Sequence, residues 1–311
     1  MWNQNWEVYI MDTKYIFLIY NPVSGNKSFC ENLDYFFETF QNKGYEIHIY
    51  RTSCEEDFSK ALQSRDMKIY DALIVAGGDG SINFVLNCLI ELNIDIPLGV
   101  IPAGTMNDIC YNMGMSLDIV EAIDSLSLMH MEKVDIGLTN DKYFLNTCGA
   151  GLFMEVSQNT DRQLKNVMGR AAYLLTGIKE LPKFKKWRIR ITTDEKVIED
   201  EFYFFIVMNG KGAGGFHKLA PEASMNDGLF DLIAVKACPL NELPIIFAKV
   251  LTGTHTTNKN VLHLKSENIS IENMEDTFDL LTDMDGEEGP QMPLKMSVIP
   301  SRIKMILPPK Q

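Results

Sequence analysis

The sequence lacks the cysteine and histidine arrangements that mark a disulfide framework or a zinc site. Its six cysteines lie far apart without a CxxC pair, and its five histidines show no paired spacing suited to a metal. Disulfide frameworks belong to short secreted chains dense in cysteine, whereas this chain has 311 residues. We therefore predict free thiols in a reducing cytoplasm.

Positive charge and long apolar runs are also scarce. The formal net charge is −13 at pH 7, which argues against a nucleic-acid partner, because phosphate backbones need a broad positive surface. Runs such as FYFFIVM (202–208) are far shorter than the ~20 residues that span a bilayer. The first residues do not combine a basic start with an apolar core, so no signal peptide is expected, and residues 1–11 are predicted to be an extension outside the fold.

The hydrophobic pattern changes near residue 130. Before that point, buried strand patterns such as 15–20, 71–77 and 97–102 alternate with helical spacing, which predicts a parallel sheet with helices on both faces. After it, most segments are strand-like and rich in β-branched and aromatic residues. The predicted fold class is α/β, with a parallel-sheet domain at 12–130 and a β-rich sandwich domain at 131–311. Packing of the last strand back on the first domain is left open.

A glycine-rich turn, AGGDGSIN (76–83), joins a buried strand to a helical pattern. Glycine lets the backbone approach a ligand closely, and a helix N-terminus attracts phosphate. The turn lacks the last glycine of GxGxxG, because Asn83 occupies that position, and no GxxxxGK[ST] motif occurs in the chain. Neither common phosphate loop applies. A turn that is simply capped by Ser81 is the structural alternative.

Asp79 distinguishes this turn from both phosphate loops. An acid next to a polyphosphate is unfavourable unless a cation lies between them, so Asp79 implies Mg²⁺.

The loops 21–28 and 101–108 also follow predicted strands, and the carboxyl ends of parallel strands share the rim where ligands bind. Ordinary turns are the alternative. The nucleotide-binding candidates on the three loops are Asn21, Lys27, Gly77, Gly78, Asp79, Gly80, Ser81, Asn83, Gly104, Thr105, Asn107 and Asp108.

The motifs NPVSG, GGDGSIN and IPAGTMND, in this order and spacing, resemble the catalytic family of diacylglycerol kinases, which includes sphingoid and ceramide kinases. The resemblance continues through an interdomain segment (134–151), GRAAY (169–173), GGFHKLAPEASMNDGLFDL (214–232) and DGE (285–287), and it covers roughly residues 14–309. It implies an N-terminal nucleotide-binding domain, a C-terminal lipid-binding domain and a cleft between them.

The resemblance also implies roles for individual residues. It places ATP around Asn21, Thr52, Gly78–Ser81 and Thr105, with Asp79 in the magnesium network and with Glu287 among the cofactor-binding residues. Asp285 of DGE would be the general base. A structural Mg²⁺ would be bound by Ser224, Asp227 and the carbonyl of Leu229. An acidic residue in place of Ser224 would hold that metal more strongly.

Phosphoryl transfer to a lipid hydroxyl needs charge neutralisation and a carboxylate that accepts the proton, and Asp285 and Asp79 are the predicted catalytic residues. Without the resemblance, DMDGEEG (283–289) is typical of an acidic surface turn, and NDGLFD (226–231) is typical of an Asx turn. The predicted function is an ATP- and Mg²⁺-dependent lipid kinase, with diacylglycerol as the default acceptor. An enzyme of the NAD kinase type and a non-catalytic lipid or nucleotide sensor remain alternatives.

The expected partner is a membrane lipid, reached by peripheral contact at the inner membrane surface, and a homodimer stays open. KELPKFKKWRIR (179–190) holds six basic residues beside Phe184 and Trp187. Basic charge with an interfacial aromatic residue suits docking to anionic lipid. The alternative is a solvated turn that enters a strand, with Trp187 in the core.

Overall fold

The computed structural model describes residues 13–25, 28–151, 185–275 and 280–309. The predicted extension, Lys27, the GRAAY segment and the first part of the basic stretch 179–190 therefore lie outside the described residues.

The N-terminal part alternates strands and helices. Its order is β1 (Lys14–Tyr20), α1 (Ser28–Glu31), α2 (Leu33–Gln41), β2 (Tyr45–Arg51), α3 (Glu56–Gln63), a 3₁₀ helix (Met67–Ile69), β3 (Ala72–Gly77), α4 (Asp79–Glu91), β4 (Leu98–Pro102), α5 (Asp108–Asn112) and α6 (Ile119–Leu126). The four strands are parallel in the order β2-β1-β3-β4. All six residues of β3 are buried, which explains its uninterrupted apolar sequence.

The C-terminal part is antiparallel. It contains β5 (Met131–Thr139), β6 (Lys142–Phe144), β7 (Thr147–Gly151), β8 (Trp187–Thr193), β9 (Val197–Met208), β10 (Phe230–Lys236), 3₁₀ turns (Leu240–Glu242 and His255–Thr257), α7 (Leu243–Thr252), β11 (Val261–Ser266), β12 (Asn268–Asn273), β13 (Thr282–Met284), β14 (Glu287–Glu288) and β15 (Leu294–Ile306). The sheet path runs β14-β13-β7-β9-β8-β12-β15. The predicted fold class is confirmed, and the domain boundary near residue 130 stays a prediction.

The last strand joins the two parts. β15 pairs antiparallel with β5 along most of its length, and Met305 pairs with Leu98 of the parallel strand β4. A register shift between Ile299 and Ile303 interrupts the β5 pairing, and Ser301 in this stretch has a positive φ of 51°. The end of the chain therefore lies against the first sheet.

Side-chain burial separates the faces of β9. Phe205 and Val207 pack into one core cluster, and Phe204 and Ile206 pack into another on the opposite face. Trp187 is only 2% exposed and belongs to the first of these clusters, so it cannot act as an interfacial aromatic residue. Among the described residues, no helix is both long and apolar enough to cross a membrane.

Candidate functional site

Glycines bring the three rim loops into contact. Gly25 has a φ of +49°, and a Cβ there would lie 2.7 Å from the carbonyl oxygen of Ala103. A Cβ on Gly104 would lie 2.5 Å from the Cα of Gly78. Real Cβ atoms do not approach other atoms this closely, so these positions require glycine. The predicted clustering of the three loops at one rim is what the structure shows.

Substitution of Gly104 by alanine tests this packing. The new Cβ would meet backbone atoms of the neighbouring loop, so we expect a loss of about 1–3 kcal/mol of unfolding free energy and weaker ATP binding. Gly80→Ala is the matched control for stability. Its Cβ would lie 2.8 Å from Oε1 of Glu287, the end of a flexible side chain that can move away. Equal unfolding free energies for the two variants would contradict the predicted loop contact.

The N-cap of helix α4 lies three residues before Ser81, the cap that the sequence suggests. Helix α4 begins at Asp79 with Gly78 at the N-cap, so Ser81 lies in the first helical turn and is not the cap. The first N–H groups of a helix have no intrahelical acceptor and carry partial positive charge. Gly78, Asp79, Gly80 and Ser81 therefore present backbone donors suited to a phosphate group.

Asp79 connects this helix to the loop at 101–108. Its carboxylate accepts hydrogen bonds from the backbone N–H groups of Asp108 (3.2 Å) and Ile109 (2.9 Å). The Asp108 carboxylate in turn accepts a bond of 3.0 Å from the N–H of Gly215 in the second part of the chain. Burial, followed by the negative charge of Asp108, raises the pKa of Asp79 to about 7. Buried acids that interact in this way favour a cation between them.

Asp285 occupies a two-residue hairpin turn between β13 and β14. Asp285 and Gly286 both have positive φ (51° and 90°), as a type I′ turn requires, and Asp-Gly is a preferred sequence for it. The Asp285 carboxylate accepts four hydrogen bonds, from the Nδ2 of Asn83 (2.6 Å) and from the backbone N–H groups of Leu145 (2.7 Å), Asn146 (2.9 Å) and Thr147 (2.7 Å). Burial raises its pKa, although these bonds oppose the shift.

Glu287 differs from Asp285 in its surroundings. It is exposed, and its Oε1 lies beside the Cα of Gly80 at the start of α4, close enough that a Cβ there would be 2.8 Å away. The hairpin thus places Asp285 deep between the two parts of the chain. It places Glu287 at the edge of the glycine-rich turn at 76–83, the predicted nucleotide-binding loop, which we call the nucleotide loop.

A cavity of about 520 Å³ lies between these elements. Loops of the first domain and the β13–β14 turn contribute glycines and polar groups, among them Gly25, Asp79, Gly80, Thr105, Asp108, Asp285 and Glu287. Strands β7 and β9 and the loop at 213–219 contribute apolar groups, among them Ala150, Phe204, Ile206, Phe216 and Leu219. One cavity therefore combines a polar lining suited to phosphate with an apolar lining suited to hydrocarbon.

Four of the predicted residues do not line this cavity and instead hold other groups of the protein. The Oδ1 of Asn21 accepts a hydrogen bond from the N–H of Val23. Buried Thr52 donates its hydroxyl to the carbonyl of Tyr20. The Asn107 side chain pairs with both backbone groups of Gly104, and Asn83 donates to Asp285. The sequence patterns did not single out Gly25, Asn146 or the apolar residues of the cavity. Among the apolar residues, Ala150, Phe204 and Ile206 belong to ordinary strand patterns.

The donor chemistry around Asp79 fits Mg²⁺, which usually takes one or two carboxylates and completes its shell with water and substrate phosphates. Within the described ranges, no group of three or more His, Cys, Asp or Glu side chains could hold a metal ion unaided.

The second predicted metal site involves Ser224, Asp227 and Leu229, which share one loop and supply oxygen donors. The Lys265 ammonium lies 3.8 Å from the Asp227 carboxylate. The metal assignment to this loop stays a prediction.

Comparison with known proteins agrees with this geometry. The family model of the diacylglycerol kinase catalytic domain matches residues 15–139, and the YegS C-terminal NAD kinase beta sandwich-like domain matches residues 146–307. A diacylglycerol kinase of Bacillus subtilis is 34% identical over 292 residues, which cover 94% of this chain and 95% of that protein. A diacylglycerol kinase of Staphylococcus epidermidis is 35% identical over 295 residues, with coverage of 94% and 91%.

Solved structures give the same result. A crystal structure of a diacylglycerol kinase from Bacillus anthracis str. Sterne matches with a TM-score of 0.78 at 28% identity, covering 95% of this chain and 98% of that one. The resemblance found in the sequence motifs is thereby confirmed, and the chain belongs to the diacylglycerol kinase catalytic-domain family.

Proposed function

We propose that this chain is an ATP- and Mg²⁺-dependent lipid kinase that transfers the γ-phosphate to the hydroxyl of a lipid alcohol, with diacylglycerol as the acceptor. The observation that carries the proposal is the mixed lining of the cavity. Asp79, Gly80 and Thr105 meet Phe204 and Ile206 in one space. A soluble dinucleotide such as NAD would leave the apolar walls without a matching partner, so this lining favours a lipid over NAD.

The chain's own residues supply the binding contacts. Backbone N–H groups of the first turn of α4 donate to phosphate oxygens, and Asp79 and Asp108 would hold Mg²⁺. When bound, Mg²⁺ neutralises the charge that develops on the transferring phosphoryl group. The apolar residues of β9 and the loop at 213–219 bind the acyl chains and keep water away. Catalysis then rests on positioning the hydroxyl in line with the γ-phosphate.

The DGE hairpin supplies the proton acceptor in this proposal. The sequence assigns this role to Asp285, but a carboxylate that already accepts four hydrogen bonds must give one up to take a proton. Glu287 lies at the edge of the nucleotide loop and lines the same cavity. We therefore propose Glu287 as the general base and Asp285 as the residue that fixes the hairpin. Both acids line the cavity, which speaks against a non-catalytic sensor.

The lipid substrate would be reached at a membrane, so we propose a cytoplasmic protein that contacts the inner membrane surface peripherally. The described end of the basic stretch gives this little support, since Lys186 is ion-paired with Glu201 at 2.7 Å and Trp187 is buried. A homodimer stays a prediction.

A direct test measures transfer of radiolabelled γ-phosphate to diacylglycerol in mixed micelles, with NAD, a sphingoid base and a polyprenol as competing acceptors. We expect labelled phosphatidic acid as the main product and no labelled NADP. Preferential labelling of NAD would place the chain with the soluble-substrate enzymes. Tight ATP and lipid binding without any labelled product would favour a sensor.

A further inference from the structure

Asn87 connects helix α4 to the hairpin strand β6. It lies four residues after Asn83, on the same face of α4. Its Nδ2 donates to the Tyr143 carbonyl at 3.0 Å, and its Oδ1 accepts the Tyr143 N–H at 3.1 Å. The side-chain amide thus pairs with the backbone of Tyr143 as another strand would.

Strand β6 needs such a partner. It has three residues and, in the described sheet, pairs only with β5. Its outer edge presents the N–H and carbonyl of Tyr143. An open strand edge can pair with another chain unless a side chain or another element covers it. Asn87 covers this edge from the helix that begins at Asp79. The residues directly after β6, at 145–147, are those whose N–H groups bind Asp285.

Asn87 also fixes the orientation of the Asn83 amide. One N–H of the Asn87 Nδ2 is directed to Tyr143, and the other is shared between the Oδ1 of Asn83 (3.0 Å) and its backbone carbonyl (2.9 Å). With Oδ1 engaged in this way, the Nδ2 of Asn83 faces the Asp285 carboxylate and donates to it at 2.6 Å. A flipped Asn83 would set its oxygen against that carboxylate, which is repulsive. Asn87 therefore acts on two of the groups that hold Asp285, through Asn83 and through β6.

We propose that Asn87 is a positioning residue, which holds the Asp285–Glu287 hairpin at a fixed place relative to the nucleotide loop at the start of α4. The assignment rests on the proposed function, because the hairpin carries the proposed base. Asn87 does not line the cavity, and its side-chain hydrogen bonds within the described residues join it to Asn83 and Tyr143. Displacement of the hairpin by about 1 Å would move the base out of reach, and such a shift costs about 10²-fold in rate.

The test uses two variants of similar shape, Asn87→Leu, which removes all four contacts, and Asn87→Asp, which removes the donors. We expect kcat for diacylglycerol phosphorylation to fall by about 10²-fold, with the KM for ATP changed by less than about threefold, since the nucleotide loop keeps its glycine contacts. A structural loss alone would lower the folded fraction without this split. Unchanged kcat in folded Asn87→Leu protein, or a rise in the ATP KM alone, would overturn the proposal.

Asn268→Leu is the control, because the Asn268 amide, at the start of β12, donates a 3.0 Å hydrogen bond to Asp194 in the turn between β8 and β9, and no contact of the described residues connects it to Asp285. It should reduce stability without changing kcat.

A second readout needs no activity. The midpoints of denaturant unfolding of Asn87→Leu, Asp285→Asn and the double variant should be non-additive, and additive shifts would overturn the proposal. If the wild type phosphorylates no lipid alcohol, the proposed function fails while this cycle still decides the coupling.

Discussion

Glu287→Gln is expected to lower kcat for lipid phosphorylation by about 10²–10⁴-fold, the usual contribution of a general base. Glutamine keeps the size and reach of the side chain but cannot take up the proton of the lipid hydroxyl. The side chain is exposed and glutamine is isosteric with glutamate, so we expect little change in the free energy of unfolding. The measurement is steady-state phosphorylation of diacylglycerol, with thermal unfolding and ATP affinity recorded on the same preparation.

Asp285→Asn should behave differently. Its four hydrogen bonds all come from donors, and an amide would turn an NH₂ group toward at least one of them. We expect a loss of activity together with a clear loss of stability, because a buried donor is left without an acceptor. Asparagine tolerates the positive φ of this position, so backbone strain does not confuse the comparison. Normal turnover by Glu287→Gln, beside a stable but inactive Asp285→Asn, would return the role of base to Asp285.

Asp79→Asn is the second change with a large expected effect. The carboxylate is the proposed anchor of Mg²⁺ beside the first turn of α4, and its loss leaves the phosphate charge poorly neutralised. We expect kcat/KM for MgATP to fall by about 10²–10³-fold, the range for removing one electrostatic contact to the transition state. An increase in the Mg²⁺ concentration needed for half-maximal rate should accompany it. Normal Mg²⁺ dependence in this variant would show that the ion is held elsewhere.

The same variant should change the pH dependence of stability. Folding raises the pKa of Asp79 from 3.8 to about 7, chiefly through burial. Between these values the folded protein binds more protons than the unfolded chain, so the Asp79 contribution to stability falls as pH rises through this window. We expect the unfolding temperature of the wild type to drop from pH 5 to pH 8 more steeply than that of Asp79→Asn. Parallel profiles would contradict the raised pKa.

Local sequence patterns predicted the strands and the rim loops well. The buried run in β3, the glycines at 77, 78 and 80, and the Asp-Gly pair of the β13–β14 hairpin each carry their signal within a few residues. Short helices were harder to predict. The hydrophobic pattern predicts neither α3 (Glu56–Gln63) nor the five-residue α5 (Asp108–Asn112). The first N–H groups of α5 bind Asp79, which lies about thirty residues earlier in the chain.

Contacts between distant segments explain what the sequence could not provide. Asn83 and Asp285 are separated by 202 residues. No local pattern therefore reveals that the Asn83 amide donates a hydrogen bond to the Asp285 carboxylate. Asp285 was predicted as a base from its motif, and only the folded chain shows the three backbone donors from 145–147 that engage it. The burial of Trp187 was likewise undecided, because a tryptophan beside lysines is compatible with a membrane surface or with a core.

The decisive measurement is a structure of the chain with a non-hydrolysable ATP analogue and Mg²⁺. We expect β- and γ-phosphates within hydrogen-bond distance of the N–H groups of Gly78–Ser81, Mg²⁺ between them and Asp79, and the Glu287 carboxylate facing the space beside the γ-phosphate. Phosphates bound away from this turn, or Glu287 directed out of the cavity in the nucleotide complex, would contradict it.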